Sequence, residues 1–211
     1  MVNTFWLLLF IILAVFNLLF NYYDNKKGIH FTKPLLMPSL MIYYIYATEG
    51  YSYLILAALF CGFLGDTFLL NHEKHFLKGL ISFFVGHLLY IIYFAGEISF
   101  SSLRFIDMAW ILLYIGYALI LVKYLMPYLG SIKILGALYM GVIMIMSYMT
   151  LLIVIYNPGI MSILMLIGSL LFIISDSVLA FNAFKGKIKY SGFIIMSTYI
   201  AAQFLIVLGA I

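Results

Sequence analysis

Long apolar segments, separated only by short polar connections, are the dominant feature of the sequence. Eight segments can be marked, at about 4–22, 33–48, 51–70, 76–96, 105–125, 131–156, 160–183 and 190–210. The hydrocarbon core of a bilayer is about 30 Å thick, and a helix needs roughly 20 apolar residues to cross it. The sequence therefore predicts an all-α polytopic membrane protein, built as a bundle of eight transmembrane helices.

The composition supports this fold class and excludes several others. Hydrophobic residues make up 67% of the 211-residue chain and charged residues 9%, whereas soluble domains are about half apolar and a quarter charged. A cytosolic enzyme, a nucleic-acid-binding protein and a disordered linker are therefore excluded. Because no Ser/Gly-rich linker separates the segments, we expect residues 1–211 to form a single domain whose immediate partner is the lipid bilayer.

Basic residues are concentrated in alternate connections between the segments. One set of connections carries ten lysines, which are Lys26, Lys27, Lys33, Lys74, Lys78, Lys123, Lys133, Lys185, Lys187 and Lys189. The other set carries one basic residue, Arg104. Cytoplasmic loops hold an excess of Lys and Arg, so we predict a cell-membrane protein with the lysine-rich connections in the cytoplasm and both termini outside. Membrane topology then explains the formal net charge of +4 without a nucleic-acid partner.

Two aspartates, Asp66 and Asp176, lie inside apolar segments. A carboxylate at the centre of a membrane helix costs about 2.5–3.5 kcal/mol on insertion scales, and such residues commonly face the bundle interior and carry function. Each one precedes the predicted cytoplasmic end of its segment by one to two turns. We therefore predict that the two carboxyl groups lie at the same depth, in a cavity towards the cytoplasmic side; simple pairing with rim lysines is the alternative.

Paired carboxyl groups in a poorly hydrated pocket favour a state in which one is protonated and the other is ionised. Enzymes use that arrangement for paired acid and base catalysis. A zinc site needs three or four converging ligands, and the sequence offers no convincing set, so we expect no metal and no cofactor. The single cysteine, Cys61, lies in an apolar run and is interpreted as a packing residue.

The fourth segment carries small and polar residues at roughly helical spacing, namely Gly79, Ser82, Gly86 and Tyr90, with His87 beside them. Small residues let membrane helices approach closely, so one interpretation is a packing face with a hydrogen-bonded histidine. In the other interpretation, Ser82, His87 and Tyr90 line a cavity above the carboxyl groups and bind substrate.

Three further residues are candidates for the same cavity. Tyr199 and Gln203 lie four residues apart in the last segment, and therefore on one face of a helix. Lys33 stands just before Pro34 at the cytoplasmic entrance of the second segment. It could bind a phosphate group or one of the aspartates, or it could serve only as a topology anchor.

The ordered set of these motifs resembles the YhhN family of lysoplasmalogenase-like membrane proteins. The matching stretches are TKPL at 32–35, GDTFLL at 65–70, GLISFFVGHLLY at 79–90, GSLLFIISDS at 168–177 and TYIAAQ at 198–203. The resemblance implies an eight-helix bundle that hydrolyses the vinyl-ether bond of a lysophospholipid, the lysoplasmalogen. The products would be a fatty aldehyde and a glycerophospho-head group.

The candidate residues suit that reaction, because vinyl-ether hydrolysis begins with protonation of an alkene carbon by an acid. One carboxylic acid would deliver the proton, and an ionised partner would activate water, as in inverting glycosidases. Asp66 and Asp176 are the candidate catalytic pair, without an assignment of acid and base. Lys33 would bind the head-group phosphate, and the remaining candidates would orient the substrate.

Two other functions remain open from the sequence. An intramembrane aspartyl protease also uses two aspartates, but its Gly-x-Gly-Asp signature is one residue out of register in the run from Gly62 to Asp66, and Ser175 precedes the second aspartate where a tyrosine is usual. A lipid or proton-coupled transporter could use buried carboxyl groups as a proton relay. Such transporters often contain inverted repeats, and only the paired Gly65-Asp66 and Ser175-Asp176 sequences echo one.

Overall fold

The computed structural model describes residues 2–99 and 103–211, without the side chains of His72, Glu73, Met108 and Ser131. Within these ranges the chain forms nine α-helices and no strand. The helices are α1 Val2–Tyr22, α2 Lys26–Ala47, α3 Tyr53–Leu69, α4 His72–Gly96, α5 Phe105–Met108, α6 Ile111–Leu125, α7 Lys133–Tyr156, α8 Ile160–Ala180 and α9 Ser191–Gly209. The predicted all-α fold is confirmed.

Six stretches in the described part of the chain are long and apolar enough to cross a membrane. They are Val2–Tyr22, Lys74–Gly96, Phe105–Tyr128, Lys133–Tyr156, Ile160–Lys185 and Ser191–Gly209. α3 is apolar but has 17 residues, and α2 begins with a polar turn. These two helices complete the predicted set of eight, so the multi-pass architecture is confirmed. The outside location of both termini stays a prediction.

The predicted boundaries differ most from the structure at two places. α2 begins at Lys26, whereas the apolar pattern placed its start at 33, because the side chain of Asn25 accepts a hydrogen bond from the backbone N–H of Gly28 (3.1 Å) and caps a polar first turn. The helix then continues through both of its prolines. The segment predicted at 105–125 is divided into α5 and α6, because Asp107 folds back onto the backbone N–H of Arg104 (3.2 Å) and closes α5 as a single turn.

Seven helices make a closed circuit of contacts in the order α1, α2, α3, α4, α7, α8, α9 and back to α1. α6 stands outside this circuit and packs mainly on α7. The packing of α8 on α9 requires a glycine at position 168, because a Cβ atom at Gly168 would lie 2.8 Å from the carbonyl oxygen of Ala202. Small residues at such crossings let membrane helices pack backbone to backbone. The circuit encloses the polar side chains described below.

The lysine-rich connections gather at one end of the bundle. At this end, Tyr22 of α1 stacks on Tyr190 before α9 with ring centroids 5.3 Å apart. Phe76 of α4 meets Phe184, in the π-helical turn after α8, edge to face at 5.4 Å. We call this the basic end. At the opposite end of the bundle, Asn157 donates a hydrogen bond to the carbonyl oxygen of Glu97 (3.1 Å).

Candidate active site

Asp66 lies on α3, one turn before the basic end of that helix, and is 1% exposed. The Lys33 ammonium of α2 lies 3.4 Å from its Oδ1 atom. The hydroxyl of Tyr199, on α9, donates a hydrogen bond to its Oδ2 atom at 2.9 Å. Both carboxylate oxygens therefore have partners inside the bundle, as a buried charge requires.

A chain of hydrogen bonds extends from Asp66 into the bundle. Gln203, one turn after Tyr199 on α9, donates from Nε2 to the Tyr199 hydroxyl at 3.5 Å. Tyr90 of α4 donates its hydroxyl hydrogen to Oε1 of Gln203 at 2.5 Å. These five residues, which we call the Asp66 group, connect α2, α3, α4 and α9, and all five were among the sequence candidates.

A glycine makes room for this group. A Cβ atom at Gly62 of α3 would lie 3.0 Å from the Tyr199 hydroxyl and 3.0 Å from Nε2 of Gln203. Those contacts are shorter than ordinary van der Waals contacts, so any larger side chain would displace the polar face of α9. Gly62 precedes Asp66 by one helical turn, and it therefore allows Tyr199 to reach the carboxylate.

Asp176 of α8 belongs to a second polar group. The Tyr139 hydroxyl of α7 donates to Asp176 Oδ2 at 2.6 Å, and Nε2 of His87 lies 3.2 Å from that hydroxyl and 3.5 Å from Asp176 Oδ2. We call these three residues the Asp176 group. A tyrosine hydroxyl has one hydrogen, which Tyr139 gives to Asp176. Nε2 of His87 must therefore be the protonated nitrogen that donates to Tyr139.

The other ring nitrogen of His87, Nδ1, is buried. His87 is 2% exposed, and among the described residues no hydrogen bond reaches its Nδ1 atom. Buried polar atoms normally have a hydrogen-bond partner, and those without one commonly mark functional positions. With Nε2 carrying the hydrogen, Nδ1 is an acceptor.

Phe172 of α8 lies between the two groups. Its ring meets His87 edge to face at 5.0 Å and Tyr199 at 5.7 Å. Within the described residues, no hydrogen bond or ion pair joins Asp66 directly to Asp176. The two carboxylates therefore belong to neighbouring groups with separate partners, held on either side of one apolar ring.

An apolar cavity borders the Asp176 group. It lies near the basic end between α4, α6, α7 and α8, with a volume of about 50 Å³. Aliphatic and aromatic side chains form most of its wall, including Leu121 and Leu125 of α6, and its polar lining residues are Tyr139, Asp176 and Ser177. This environment suits a hydrocarbon chain with a reactive group at its polar edge.

A second cavity, which we call the basic cavity, borders the Asp66 group. Its volume is about 400 Å³, and its described lining residues are Asn21, Lys26, Ile29, His30, Lys33, Leu69, Leu70 and Asn71. It opens at the basic end between α1, α2 and the turn from α3 to α4. Lys33 is common to this cavity and to the ion pair with Asp66, so the cavity leads to the buried carboxylate.

Seven of the eight sequence candidates lie in the two polar groups; Ser82 does not. Its hydroxyl donates to the carbonyl oxygen of Cys61 (2.7 Å), so its contact is between α4 and α3. Sequence reasoning missed Tyr139, because the chain contains 18 tyrosines and nothing local distinguishes this one. In the described part of the chain, no three His, Cys, Asp or Glu side chains converge as a metal site would need.

Comparison with known proteins places these residues in a family. A model of the YhhN family matches residues 28–210. The chain belongs to the YhhN family. This match confirms the resemblance seen in the sequence motifs, and the matched range contains every residue of both polar groups.

Named relatives of this YhhN-family chain fall into two sets. An uncharacterized membrane protein YhhN of Escherichia coli O157:H7 is 27% identical over 161 residues, covering 75% of this chain and 74% of its own. A human protein named lysoplasmalogenase TMEM86B is 31% identical over 179 residues, covering 84% and 72%. A bovine protein named lysoplasmalogenase TMEM86A is 30% identical over 163 residues, covering 70% and 61%. No solved structure matches the chain.

Proposed function

We propose that this protein is a membrane-embedded hydrolase that cleaves the vinyl-ether bond of lysoplasmalogens, with Asp66 and Asp176 as its acid and base. One observation carries the proposal. A buried carboxylate, Asp66, and a half-buried one, Asp176, lie in adjacent polar groups, of which one borders a basic cavity and the other borders an apolar cavity. Relatives named lysoplasmalogenase support the same reaction class at the level of the family.

The two cavities suit the two parts of such a substrate. A lysoplasmalogen has one apolar alkenyl chain and one charged glycerophospho-head group, and the vinyl ether joins them. The double bond and the adjacent carbons of the alkenyl chain would lie in the apolar cavity beside Asp176, and the rest of the chain would lie among the surrounding lipids. The head group would lie towards Lys33 and Asp66, so the scissile linkage would pass between the two polar groups.

The reaction has three steps, which are protonation of the alkene, addition of water to the oxocarbenium ion and breakdown of the hemiacetal. A carboxylic acid gives its proton to the alkene carbon that does not carry oxygen, and this leaves an oxocarbenium ion. The partner carboxylate takes a proton from water, whose oxygen bonds to the oxocarbenium carbon. The partner, now protonated, gives its proton to the glycerol oxygen as the hemiacetal bond to that oxygen breaks, and the first carboxylate takes the hemiacetal hydroxyl proton. The aldehyde and the glycerophospho-head group are then released, and both carboxyl groups are back in their starting states.

The surroundings of the two carboxyl groups favour different roles. Asp66 is paired with the Lys33 ammonium at 3.4 Å and lies on the side where the head group and the ether oxygen would be. Asp66 would therefore act as the base and would also stabilise the oxocarbenium ion. Asp176 accepts one hydrogen bond from Tyr139 and borders the apolar cavity. We assign it as the proton donor because the apolar cavity would hold the alkene beside it.

The test is a product assay with purified protein in detergent. Lysoplasmalogen, a lysophospholipid ester and a diacyl phospholipid are offered separately, and fatty aldehyde and fatty acid are both measured. We expect aldehyde from lysoplasmalogen and no fatty acid from either ester. Release of fatty acid would instead identify an esterase and would end the proposal.

Asp66→Asn and Asp176→Asn test the assigned residues. General acid–base groups contribute about 10²- to 10⁴-fold to rate, so each variant should lose aldehyde production by at least the lower factor. Thermal unfolding in detergent establishes that each variant is folded. Full turnover by either folded variant would remove that aspartate from the mechanism.

The two alternative functions receive less support from the geometry. Aspartyl proteases use two carboxylates that share one proton, whereas Asp66 and Asp176 have separate partners here. A transporter would move lipid across proteoliposomes in response to a proton gradient without forming product. The aldehyde assay therefore separates hydrolysis from transport.

A further inference from the structure

Two lysines and a histidine of α2 face the basic cavity. Lys26, His30 and Lys33 are spaced four and three residues apart, so they lie on one face of the helix. All three line the cavity. Nδ1 of His30 lies 2.7 Å from the carbonyl oxygen of Lys26, and this contact holds the ring beside the first lysine.

Neutral amide groups complete the polar wall. Asn21, at the end of α1, is fixed by hydrogen bonds from its Nδ2 atom to the carbonyl oxygen and side-chain oxygen of Asn17 (2.8 and 3.0 Å). Asn71 lies at the start of α4, on the opposite wall. None of the described lining residues is acidic.

Only one of the two lysines has a counter-ion among the described residues. Lys33 pairs with Asp66 at 3.4 Å, whereas no described carboxylate lies within 4.0 Å of the Lys26 ammonium. A cavity with an unpaired lysine and no acidic lining residue among those described attracts an anion. Lysine binds phosphate groups as a point charge, and a volume of about 400 Å³ falls within the range of small-molecule sites.

We propose that the basic cavity binds the phosphate group of the lipid, with Lys26 and Lys33 as its cationic contacts and His30 as a hydrogen-bonding contact. The lipid identity rests on the proposed function, but the preference for a phosphate-bearing lipid depends on the cavity alone. Because Lys33 also contacts Asp66, a phosphate held here lies next to the Asp66 group. The protein should therefore select alkenyl lipids that carry a phosphate over neutral alkenylglycerols.

Binding can be measured without turnover by using saturated ether analogues, which have no vinyl group to hydrolyse. The full-length protein in detergent is titrated with a 1-alkyl lysophospholipid, with a 1-alkylglycerol of the same chain length, and with inorganic phosphate. Lys26→Ala should raise the Kd of the alkyl lysophospholipid about three- to tenfold, as expected for loss of a partly exposed charge contact. It should leave the Kd of the alkylglycerol unchanged.

Two matched variants control for folding and for general charge. Lys26→Arg should keep the affinity for the phospholipid analogue, because it retains the charge. Lys187→Ala removes an exposed lysine from the connection before α9 and should change nothing. Equal affinity of the wild-type protein for the two ether analogues, or an equal effect of Lys187→Ala, would overturn the proposal.

The three titrations distinguish a lipid head group from free phosphate as the ligand. Together with the aldehyde assay, they also separate failure of the phosphate site from failure of the hydrolase proposal. Lys26-dependent binding of inorganic phosphate, with no Lys26 effect on the lipid analogue, would overturn the lipid head group as the ligand. If the wild-type protein releases no aldehyde but still prefers the phosphate-bearing analogue, the hydrolase proposal fails and the phosphate site stands. If aldehyde forms while both analogues bind equally, the phosphate site fails and the hydrolase proposal stands.

Discussion

Tyr139 lies between the two polar partners of its group. It accepts a hydrogen bond from His87 and gives its own hydrogen to Asp176 at 2.6 Å. The hydroxyl thereby determines which oxygen of Asp176 is occupied and which ring nitrogen of His87 carries a hydrogen. Tyr139 also lines the apolar cavity, so its position affects both the acid and the space beside it.

Replacement of Tyr139 by phenylalanine tests this positioning role. Removing one partner of a buried hydrogen bond costs about 1–3 kcal/mol, so we expect kcat for aldehyde release to fall about five- to hundredfold, with a changed pH profile. Tyr148→Phe is the matched control, because its hydroxyl, on the same helix, donates to the carbonyl oxygen of Asp107 outside both polar groups. An unaltered kcat and pH profile in the Tyr139 variant would contradict the role.

At this scale, the sequence predicted the residues whose polarity conflicts with their surroundings. Asp66, Asp176 and His87 interrupt apolar runs, and that alone identifies them as candidates. Tyr139 could not be found in this way, because tyrosine is common throughout membrane bundles. Lys26 was interpreted only as a topology residue, because the cavity that it lines is formed by chain segments distant in sequence.

Helices α7 and α8 are joined by a buried cluster of hydroxyl groups. Oγ of Ser169 lies 2.9 Å from Oγ of Ser147 and 2.8 Å from Oγ1 of Thr150, and all three residues are fully buried. Hydrogen bonds between membrane helices contribute about 0.6 kcal/mol on average and up to about 1.7 kcal/mol. The cluster therefore stabilises the contact between α7 and α8, and α8 carries Asp176.

We expect Ser169→Ala to lower the free energy of unfolding in mixed micelles by about 0.6–1.7 kcal/mol. The comparison variant is Ser197→Ala, since the Ser197 hydroxyl donates only to the carbonyl oxygen of Ile194 in its own helix. That variant should unfold close to wild type. Equal stability of the two variants would show that the interhelical cluster contributes nothing.

Helix boundaries were predicted well where apolarity defines them and poorly where polar groups do. α7, α8 and α9 begin or end within a few residues of the marked segments. The start of α2 depends on a cap at Asn25, and the break before α6 depends on the turn closed by Asp107. Neither feature changes the average hydropathy of its segment, so the apolar pattern could not reveal it.

At the scale of the whole molecule, the lysine-rich connections lie at one end, and both cavities open near that end. This arrangement predicts that head group and chain are both approached from the cytoplasmic leaflet. The prediction that both termini face the side of the membrane opposite the cytoplasm is unchanged.

Thiol labelling in intact cells tests the orientation. After Cys61 is replaced by alanine, single cysteines are introduced as Lys187→Cys at the basic end and Glu49→Cys at the other end. A membrane-impermeant maleimide should modify only the second, while both should react after permeabilisation. Labelling of the basic-end cysteine alone in intact cells would reverse the topology, and with it the side from which the lipid is approached.

The fold class followed from composition, but the arrangement of the helices did not. Charged residues are too few and apolar segments too uniform to indicate which neighbours each helix has. The contact of α4 with α7, which leaves out α5 and α6, is an example. Pairing across such a distance in sequence depends on detailed side-chain packing, which the apolar pattern does not specify.

The position of α6 outside the seven-helix circuit has a mechanical consequence for a bilayer-resident substrate. Leu121 and Leu125 of α6 form one wall of the apolar cavity. The Tyr117 hydroxyl of α6 lies 3.0 Å from Oγ of Ser177 on α8, and the Tyr114 hydroxyl donates to the carbonyl oxygen of Ser147 on α7 (3.2 Å). A sideways swing of this single helix would expose Asp176 to the surrounding lipid tails. The seven helices of the circuit could keep their positions. A hydrocarbon tail could therefore enter between α6 and the circuit without a rearrangement of the rest of the bundle.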